Sequence, residues 1–453
     1  MNEKVNEEVK KVITSGPPAS GMFAPKQENL VKPDSKAEED YERCVECGYC
    51  RLVCRVYNTT YAERDYAGGR NRVLKSLEKR AIDFDKNLII DAIYQCMLCG
   101  NCRTVCPVGI DTLNVFQTYR RTAVRKGVMP EKLKILKNST ITNKNPYLEN
   151  GTDRYNWCSS QACDEGHMAY ERGVEHTRKI TSGELKPSDI DEHLVGYFVG
   201  CTSAYRNNEL SSATCRILDK MGVNFIVFPD EYCCGSVLFR TGLEDDAVQL
   251  VHYNVEMIRK LGVKEIVFSC AGCFSTFTTE YPKFIKGDLG FEITHMVQFI
   301  PKYAKQNGIK IRYTKRTKED PLLITYHDPC HLGRYCGVYD EPRELMEMIE
   351  GVKLIEMKHN REMSWCCGAG GGVRALYGEI STDIASNRLD ETIACWEDIN
   401  ENRLKEAIET DAEMLTTACV FCKNNLHLAA SKTKPDLTVV DLSQILEECE
   451  FYK

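Results

Sequence analysis

Short apolar runs that end at cysteine residues are the main pattern in the second half of the chain. They are VGYFVG (195–200) before Cys201, NFIVFPDEY (224–232) before Cys233, KEIVFS (264–269) before Cys270, LLITYHDP (322–329) before Cys330 and AEMLTTA (412–418) before Cys419. Each run predicts a strand, and amphipathic helical spacing follows, as at Leu210, Ala213, Ile217 and Leu218. Repeated strand–loop–helix units predict parallel α/β modules, in which ligands bind at the carboxyl ends of the strands.

The first part of the chain has helical rather than strand periodicity. The spacing predicts a helix over 70–85 and a second helix over 111–126, which begins at Asp111 and ends before Gly127. Residues 41–130 are therefore predicted to be mostly α-helical. The polar residues 1–40 indicate a flexible or docking arm, and 131–193 indicates a linker or cap with little periodicity. The two α/β modules are expected at 194–315 and 316–453.

Composition narrows the function classes. The chain has 453 residues, a formal net charge of −7 and 24 cysteines. The charge disfavours nucleic acid as a partner. No apolar run approaches the roughly 18 residues of a membrane span, and the charged N-terminus does not resemble a secretory signal. We therefore expect a cytoplasmic protein, or one held peripherally at the inner face of the membrane by a partner. Because thiols stay reduced there, this many cysteines point to metal rather than disulfides.

Eight cysteines form two copies of a CxxCxxCxxxC run. The first copy is Cys44, Cys47, Cys50 and Cys54, and the second is Cys96, Cys99, Cys102 and Cys106. This run holds cubane [4Fe–4S] clusters, and its fourth cysteine ligates the other cluster. One cluster would thus use Cys106 with the first three cysteines of the first copy, and the other would use Cys54. Zinc is the main rival, but its sites usually pair two CxxC units. Two clusters in series indicate electron conduction.

Ten further cysteines fall into two copies of the order C…CCG…CxxC. The first set is Cys201, Cys233, Cys234, Cys270 and Cys273; the second is Cys330, Cys366, Cys367, Cys419 and Cys422. The second copy is longer by an insertion near 388–403, where NRL occurs twice. Five thiolates are too many for a cubane cluster, and adjacent cysteines fit its corners poorly. The pattern therefore favours two irregular, open iron–sulfur sites in a duplicated region.

These residues resemble the D-type catalytic subunit of heterodisulfide reductase from methanogenic archaea. The likeness is carried by GCTSAYRN (200–207), EYCCGSVLFRTG (231–242), CAGCF (270–274), TYHDPCHLGR (325–334) and WCCGAGGGVRA (365–375). The resemblance implies an α-helical two-cluster ferredoxin module followed by two duplicated parallel α/β CCG modules. It implies two cubane [4Fe–4S] clusters, and one noncubane [4Fe–4S] cluster in each five-cysteine set.

The resemblance also implies a reaction and its partners. The substrate would be the mixed disulfide of coenzyme M and coenzyme B, reduced reversibly to two thiols between the noncubane clusters. The electron donor would be a membrane b-type cytochrome subunit or a soluble flavoprotein. The alternatives are an iron–sulfur subunit of a 2-hydroxyacid (glycolate or lactate) oxidase, and a related subunit of a sulfite-reduction membrane complex. A non-enzymatic electron carrier is the rival from another class.

Other side chains near the cysteines are weaker candidates. His327 and His331 flank Cys330 and could protonate a leaving thiolate or donate hydrogen bonds to a cluster. Arginines next to the cysteine loops could bind substrate anions: Arg206, Arg334 and Arg374. Six cysteines remain outside the sets, namely Cys158, Cys163, Cys215, Cys336, Cys395 and Cys449. Cys158 and Cys163, with His167, could form an incomplete zinc site, and Cys215 is expected in the core.

Overall fold

The N-terminal part of the molecule is built from helices. The computed structural model describes residues 35–79, 86–159, 163–394 and 412–453. Its first helices are α1 (Ser35–Glu42), α2 (Tyr49–Leu52), α3 (Arg55–Thr60), α4 (Ala67–Glu78), α5 (Lys86–Tyr94), α6 (Asn101–Thr104), α7 (Thr112–Arg125) and α8 (Glu131–Thr142). Up to residue 142 the described residues contain no strand, as predicted for 41–130.

Helix α7 forms where the sequence predicts it. The Asp111 carboxylate accepts a hydrogen bond from the Asn114 backbone N–H, which caps the first turn. Phe116 and Ala123 are buried on the inner face of α7. Gly127 follows the helix at φ +71°, a left-handed conformation that glycine adopts without strain. The predicted helix over 70–85 is α4, and part of that range lies outside the described residues.

Two segments are more structured than the sequence indicates. Most of the predicted arm lies outside the described residues, but its last part is helix α1, and the Tyr41 ring packs edge-on against Tyr119 at 5.8 Å. The linker or cap contains α8 and the 19-residue helix α9 (Asp164–Ser182). Helix α9 lies so close to the first sheet that a Cβ at Gly173 would be 2.1 Å from the Val227 carbonyl oxygen. Packing against neighbouring elements stabilises these helices. The periodicity of their own sequence does not contain that information, so the sequence does not predict them.

The remaining chain alternates strands and helices. The first module contains β1 (Val195–Phe198), α10 (Cys201–Tyr205), α11 (Asn208–Lys220), β2 (Phe225–Val227), α12 (Ser236–Thr241), α13 (Glu244–Leu261), β3 (Glu265–Phe268), α14 (Ala271–Thr279), β4 (Glu292–His295), α15 (Met296–Asn307) and β5 (Lys310–Tyr313). The second contains β6 (Leu322–His327), α16 (Gly333–Cys336), α17 (Asp340–Glu347), β7 (Ile349–Glu350), β8 (Val352–Ile355), α18 (Val373–Leu376), α19 (Gly378–Ala394), β9 (Met414–Thr417), α20 (Val420–Thr433), β10 (Thr438–Asp441), α21 (Leu442–Glu447) and β11 (Cys449–Tyr452).

The two modules have the same sheet topology. The first sheet has the strand order β2-β1-β3-β4 and the second has β8-β6-β9-β10, and every pairing in both is parallel. In chain order within each module both sheets therefore read 2-1-3-4. The prediction of a helical module followed by two duplicated parallel α/β modules is confirmed. A small mixed sheet, β11-β5-β7, lies beside them.

The insertion predicted near 388–403 begins within α19, and its remainder lies outside the described residues, as does Cys395. Among the helices that the structure describes, none has the length and apolar character needed to cross a bilayer.

Candidate iron–sulfur centres

The loops that carry the ten CCG-module cysteines lie at the carboxyl ends of the strands. Cys201 starts α10 after β1, and Cys270 precedes α14 directly after β3. Cys419 has the same place between β9 and α20 in the second module. All ten of these thiols are buried. Their positions match the edge at which parallel sheets bind ligands.

The glycine after each CC pair has the same structural role in both modules. Gly235 and Gly368 adopt φ values of +82° and +86°. Each backbone N–H donates to the sulfur of the first cysteine of its pair: Gly235 to Cys233 at 3.5 Å, and Gly368 to Cys366 at 3.4 Å. A Cβ at Gly368 would also lie 2.5 Å from the Ser381 carbonyl oxygen. The CCG sequence is therefore a geometric requirement of the loop.

The ten thiols lie next to one another in one continuous series, in which each influences the pKa of its neighbours. Within the first module the series runs from Cys201 through Cys233, Cys234 and Cys273 to Cys270. Within the second it runs from Cys419 through Cys422, Cys367 and Cys366 to Cys330. Cys270 lies next to Cys419, so the two series meet between the modules. The two five-cysteine sets therefore face each other.

The eight ferredoxin-type cysteines surround two cavities. One is lined by Cys44, Cys47, Cys50 and Cys106, and the other by Cys54, Cys96 and Cys99, while Cys102 borders both. Each fourth cysteine thus lies with the opposite run, in the arrangement that the sequence predicts. The two loops also share a backbone conformation, since Glu46 and Leu98 have φ values of +54° and +52° before the second cysteine of each run.

The second ferredoxin cavity touches the second CCG site. Cys99 lies beside Cys366, and the interaction with Cys366 is the main cause that lowers the pKa of Cys99 to about 6 against the effect of burial. Arg334 donates to the Cys99 carbonyl at 2.7 Å and to the Ser364 carbonyl at 2.7 Å, which ties the two loops together. The four sites therefore lie in series, from the first ferredoxin cavity to the first CCG site.

Buried arginines lie beside the thiols. Arg154 Nη2 donates to Cys201 Sγ at 3.2 Å, and its Nη1 pairs with Glu231 at 2.7 Å. Burial alone would lower the pKa of Arg154, but the charges of Cys201 and Glu231 raise it well above its usual value. Arg70 has the same relation to Cys96 and Cys54. Positive charge inside the protein stabilises a set of thiolates that burial would otherwise keep protonated.

The two histidines lie in different environments. The His331 ring packs at a tilt against the Tyr335 ring, with the ring centroids 4.7 Å apart, and its Nε2 is buried without a hydrogen-bond partner among the described residues. The pKa of Cys330 is lowered, first by Cys366 and also by His331. A ring nitrogen of His327 and the sulfurs of Cys367 and Cys422 lie within 4.8 Å of one another. The predicted roles of both histidines stay predictions, but each lies against cysteine sulfur.

The three arginines predicted as anion contacts also make contacts within the protein, and their predicted role stays a prediction. Arg206 is exposed and pairs with Glu149 at 2.7 Å. Arg374 is exposed and donates to Thr382 Oγ1 at 3.1 Å. Arg334 connects the two loops described above. Arg154, which lies in the predicted linker, donates directly to a sulfur of the first CCG site, and no recognisable sequence motif marks it.

Within the described residues, Cys158 and Cys163 make contacts with the protein. Cys163 Sγ accepts the Gly166 N–H at 3.3 Å and caps α9, while Cys158 Sγ donates to the Tyr155 carbonyl. The only described group of three His, Cys, Asp or Glu ligand atoms within 4.8 Å is the His327 group, so His167 does not complete a set. Cys215 is fully buried in α11, which confirms the prediction of a core thiol.

The donor sets fit iron–sulfur clusters. Each ferredoxin cavity is lined by four thiols or more, each CCG site gathers five, and backbone N–H groups and arginines surround the sulfurs. Thiolate-only sets that carry N–H to sulfur hydrogen bonds are typical of such clusters.

Comparison with known proteins agrees with this chemistry. A family model for the cysteine-rich domain CCG matches residues 195–278 and 324–427, and a model for the 4Fe-4S dicluster domain matches 40–110. The D-type subunit of the dihydromethanophenazine:CoB–CoM heterodisulfide reductase of Methanosarcina mazei is 32% identical over 432 residues, covering 90% of this chain and 94% of that protein. The corresponding protein of Methanosarcina barkeri gives the same values.

A more distant relative is the EtfAB:quinone oxidoreductase of Syntrophomonas wolfei. It is 27% identical over 90% of this chain, which spans 58% of that protein. The chain is an oxidoreductase with iron–sulfur cluster-binding domains, and it is similar to subunits of multi-subunit complexes. By its sequence identity over nearly its whole length and by its three cysteine-rich modules, the chain belongs to the family of D-type heterodisulfide reductase subunits.

Proposed function

We propose that this chain is the catalytic subunit of a complex that reversibly reduces a heterodisulfide, such as that of coenzyme M and coenzyme B, to two thiols. The observation that carries the proposal is that Cys270 lies next to Cys419, so that the two five-cysteine sets are neighbours. A disulfide has two sulfurs in nearly equivalent positions, and a pair of like sites facing each other suits such a bond. Relatives named as D-type subunits of heterodisulfide reductase support the substrate class.

The proposal assigns every cysteine of the sets. Cys44, Cys47, Cys50 and Cys106 would hold one cubane [4Fe–4S] cluster, and Cys96, Cys99, Cys102 and Cys54 would hold the other. The sets beginning at Cys201 and Cys330 would each hold a noncubane [4Fe–4S] cluster. When bound, such clusters supply one-electron transfer. The chain itself contributes the serial order of the four sites and the burial that keeps water from the ten CCG-module thiols.

The overall reaction balances as one disulfide plus two electrons and two protons giving two thiols. The chain must therefore deliver protons as well as electrons. His331 is the residue we assign to this task, because its Nε2 is buried, has no partner among the described residues and lies next to Cys330. Proton transfer at that atom would neutralise a thiolate as it leaves the substrate.

An electron donor must reach the far end of the series. Cys47 is exposed, and three large apolar side chains around it are exposed too: Val45 by 62%, Tyr49 by 57% and Leu52 by 70%. We place electron entry at this surface. The donor would be a b-type cytochrome subunit or a soluble flavoprotein, with the chain in the cytoplasm and peripheral to the membrane where the donor is the cytochrome.

Leu52→Glu is expected to slow disulfide reduction about tenfold with the natural protein donor, because a charge would replace an apolar contact worth more than about 1 kcal/mol. A small chemical reductant should still support the wild-type rate. The matched control is Ile135→Glu, an exposed apolar residue on α8. Equal slowing with both reductants would place the defect in the cluster and not in docking.

A second candidate is an electron-transfer subunit without disulfide chemistry. The similarity to the EtfAB:quinone oxidoreductase favours this candidate, because the name of that relative mentions no disulfide. In this chain the CCG sites would then conduct electrons only. The two candidates differ in whether a disulfide is consumed.

The decisive test uses the anaerobically purified complex with a reduced viologen dye and a set of disulfides. We expect turnover of the coenzyme M–coenzyme B heterodisulfide, and slower turnover of the symmetric disulfide of each thiol. A complex whose clusters are fully reducible but which consumes none of these disulfides, and which instead transfers electrons from glycolate or lactate, would contradict the proposal.

A further inference from the structure

The two CCG sites differ at one structurally equivalent position. The residue three places before the first cysteine is Phe198 in the first module and His327 in the second, each at the end of its central strand. Phe198 packs against the rings of Phe268 and Phe277 at 5.3 and 5.0 Å. His327 is also buried, but it brings a polar ring to the sulfurs of the second site.

The proton position on His327 is fixed by its neighbour. Arg388 Nε, from the buried part of α19, donates to His327 Nδ1 at 3.1 Å. A guanidinium group can only donate, so Nδ1 acts as the acceptor and the ring proton is on Nε2. Nε2 is buried and has no hydrogen-bond partner among the described residues. The sulfurs of Cys367 and Cys422 are the groups within reach of the ring.

We propose that His327 is a positioning residue that donates its Nε2–H to the ligand sulfurs of the second CCG site and thereby makes the two sites unequal. The inference rests on the proposed function only in requiring a cluster at these cysteines. The inference gives the two histidines different roles. If His327 gave up its Nε2 proton it would become an imidazolate, so His327 is unsuitable as the proton source. His331 keeps that role.

Each CCG site has its own buried arginine, and the two arginines act on the sulfurs in different ways. Arg154 donates directly to Cys201 Sγ in the first site, whereas Arg388 acts on the second site through His327. An N–H donor to a thiolate stabilises the extra negative charge of a reduced cluster, which raises its potential. The second site is also the one in contact with the ferredoxin module through Cys99. His327 therefore favours reduction at the CCG site that electrons reach first.

The test is a redox titration of the anaerobic holoprotein followed by electron paramagnetic resonance. His327→Phe copies the residue of the first module and is expected to shift one midpoint potential lower by about 59 mV, a tenfold change in a one-electron equilibrium. The other midpoints should stay in place. His327→Gln keeps an N–H donor and should restore most of the shift. His295→Asn is the control: it removes another buried histidine, whose Nδ1 caps α15.

Three results decide the inference and distinguish its failure from a failure of the proposed function. Unchanged midpoints in His327→Phe, at wild-type iron content, would overturn the inference and leave the proposed function standing. Wild-type protein with iron only at the ferredoxin sites would overturn both. If His327→Phe loses iron, wild-type protein with ¹⁵N-labelled histidine decides: we expect a histidine nitrogen coupling in pulsed spectra that His327→Gln removes, and a coupling unchanged in that variant would overturn the assignment.

Discussion

Replacing Cys234 or Cys367 by alanine is expected to abolish disulfide reduction while both ferredoxin clusters remain reducible. Each is the second cysteine of a CC pair and lies between two other cysteines of its set, so its loss removes a ligand from the middle of the set. Changes outside the ligand shell of a metal site cost about 10–100-fold in activity. The loss of a ligand itself should exceed that range.

The ferredoxin sites should survive these changes because separate residues build them. Neither cysteine lines the two ferredoxin cavities. Iron content should fall only by the share of one CCG site, and the cubane signals should persist in spectra of the reduced protein. Cys215→Ala is the matched control, since it removes an equally buried thiol outside the sets. Wild-type turnover by both Cys234→Ala and Cys367→Ala would show that the CCG sites are not catalytic.

Arg120→Met is expected to destabilise the junction of the three modules by about 3–5 kcal/mol. The Arg120 side chain is fully buried in α7 and donates to four carbonyls, those of Ile93, Cys96, Arg240 and Gly371. These acceptors belong to the ferredoxin module and to both CCG modules. Methionine fills similar space but donates no hydrogen bond. The four buried carbonyls would therefore lose the hydrogen bonds that they accept from Arg120.

The measurement is thermal unfolding of the anaerobic holoprotein, followed by loss of cluster absorbance. We expect the midpoint for Arg120→Met to fall by roughly 3–5 °C, because unfolding a chain of this length carries a large entropy change. Arg125→Met serves as the control on the same helix, because Arg125 is mostly exposed and pairs with Asp245 at the surface. Exposed pairs contribute about 0–1 kcal/mol. Equal effects of the two substitutions would mean that Arg120 does not hold the modules together.

The cysteine sets and the central strands could be predicted from the sequence because their chemistry is local. CxxCxxCxxxC places three thiols within one loop, and the glycine after each CC pair is needed by a turn of the same loop. The repeat order C…CCG…CxxC then predicts two modules of one topology. Each inference uses residues that are close in the chain, where spacing and geometry are directly related.

The surroundings of the sites could not be predicted, because they come from distant segments. Arg154 reaches Cys201 from a linker without periodicity, and Arg388 reaches His327 from a helix 61 positions further along the chain. Arg334 lies next to a cysteine loop in the sequence, but the sequence does not predict that it donates to carbonyls of two other loops and connects them. The helices α1 and α9 depend in the same way on partners that a local pattern does not contain.

An iron anomalous-difference map of the anaerobically prepared protein would show which cysteines hold clusters. We expect four groups of four irons, about sixteen in all, with two groups in the ferredoxin cavities and two on either side of the contact between Cys270 and Cys419. Iron confined to the ferredoxin cavities, with the ten CCG-module thiols bare, would contradict the proposed cluster assignment.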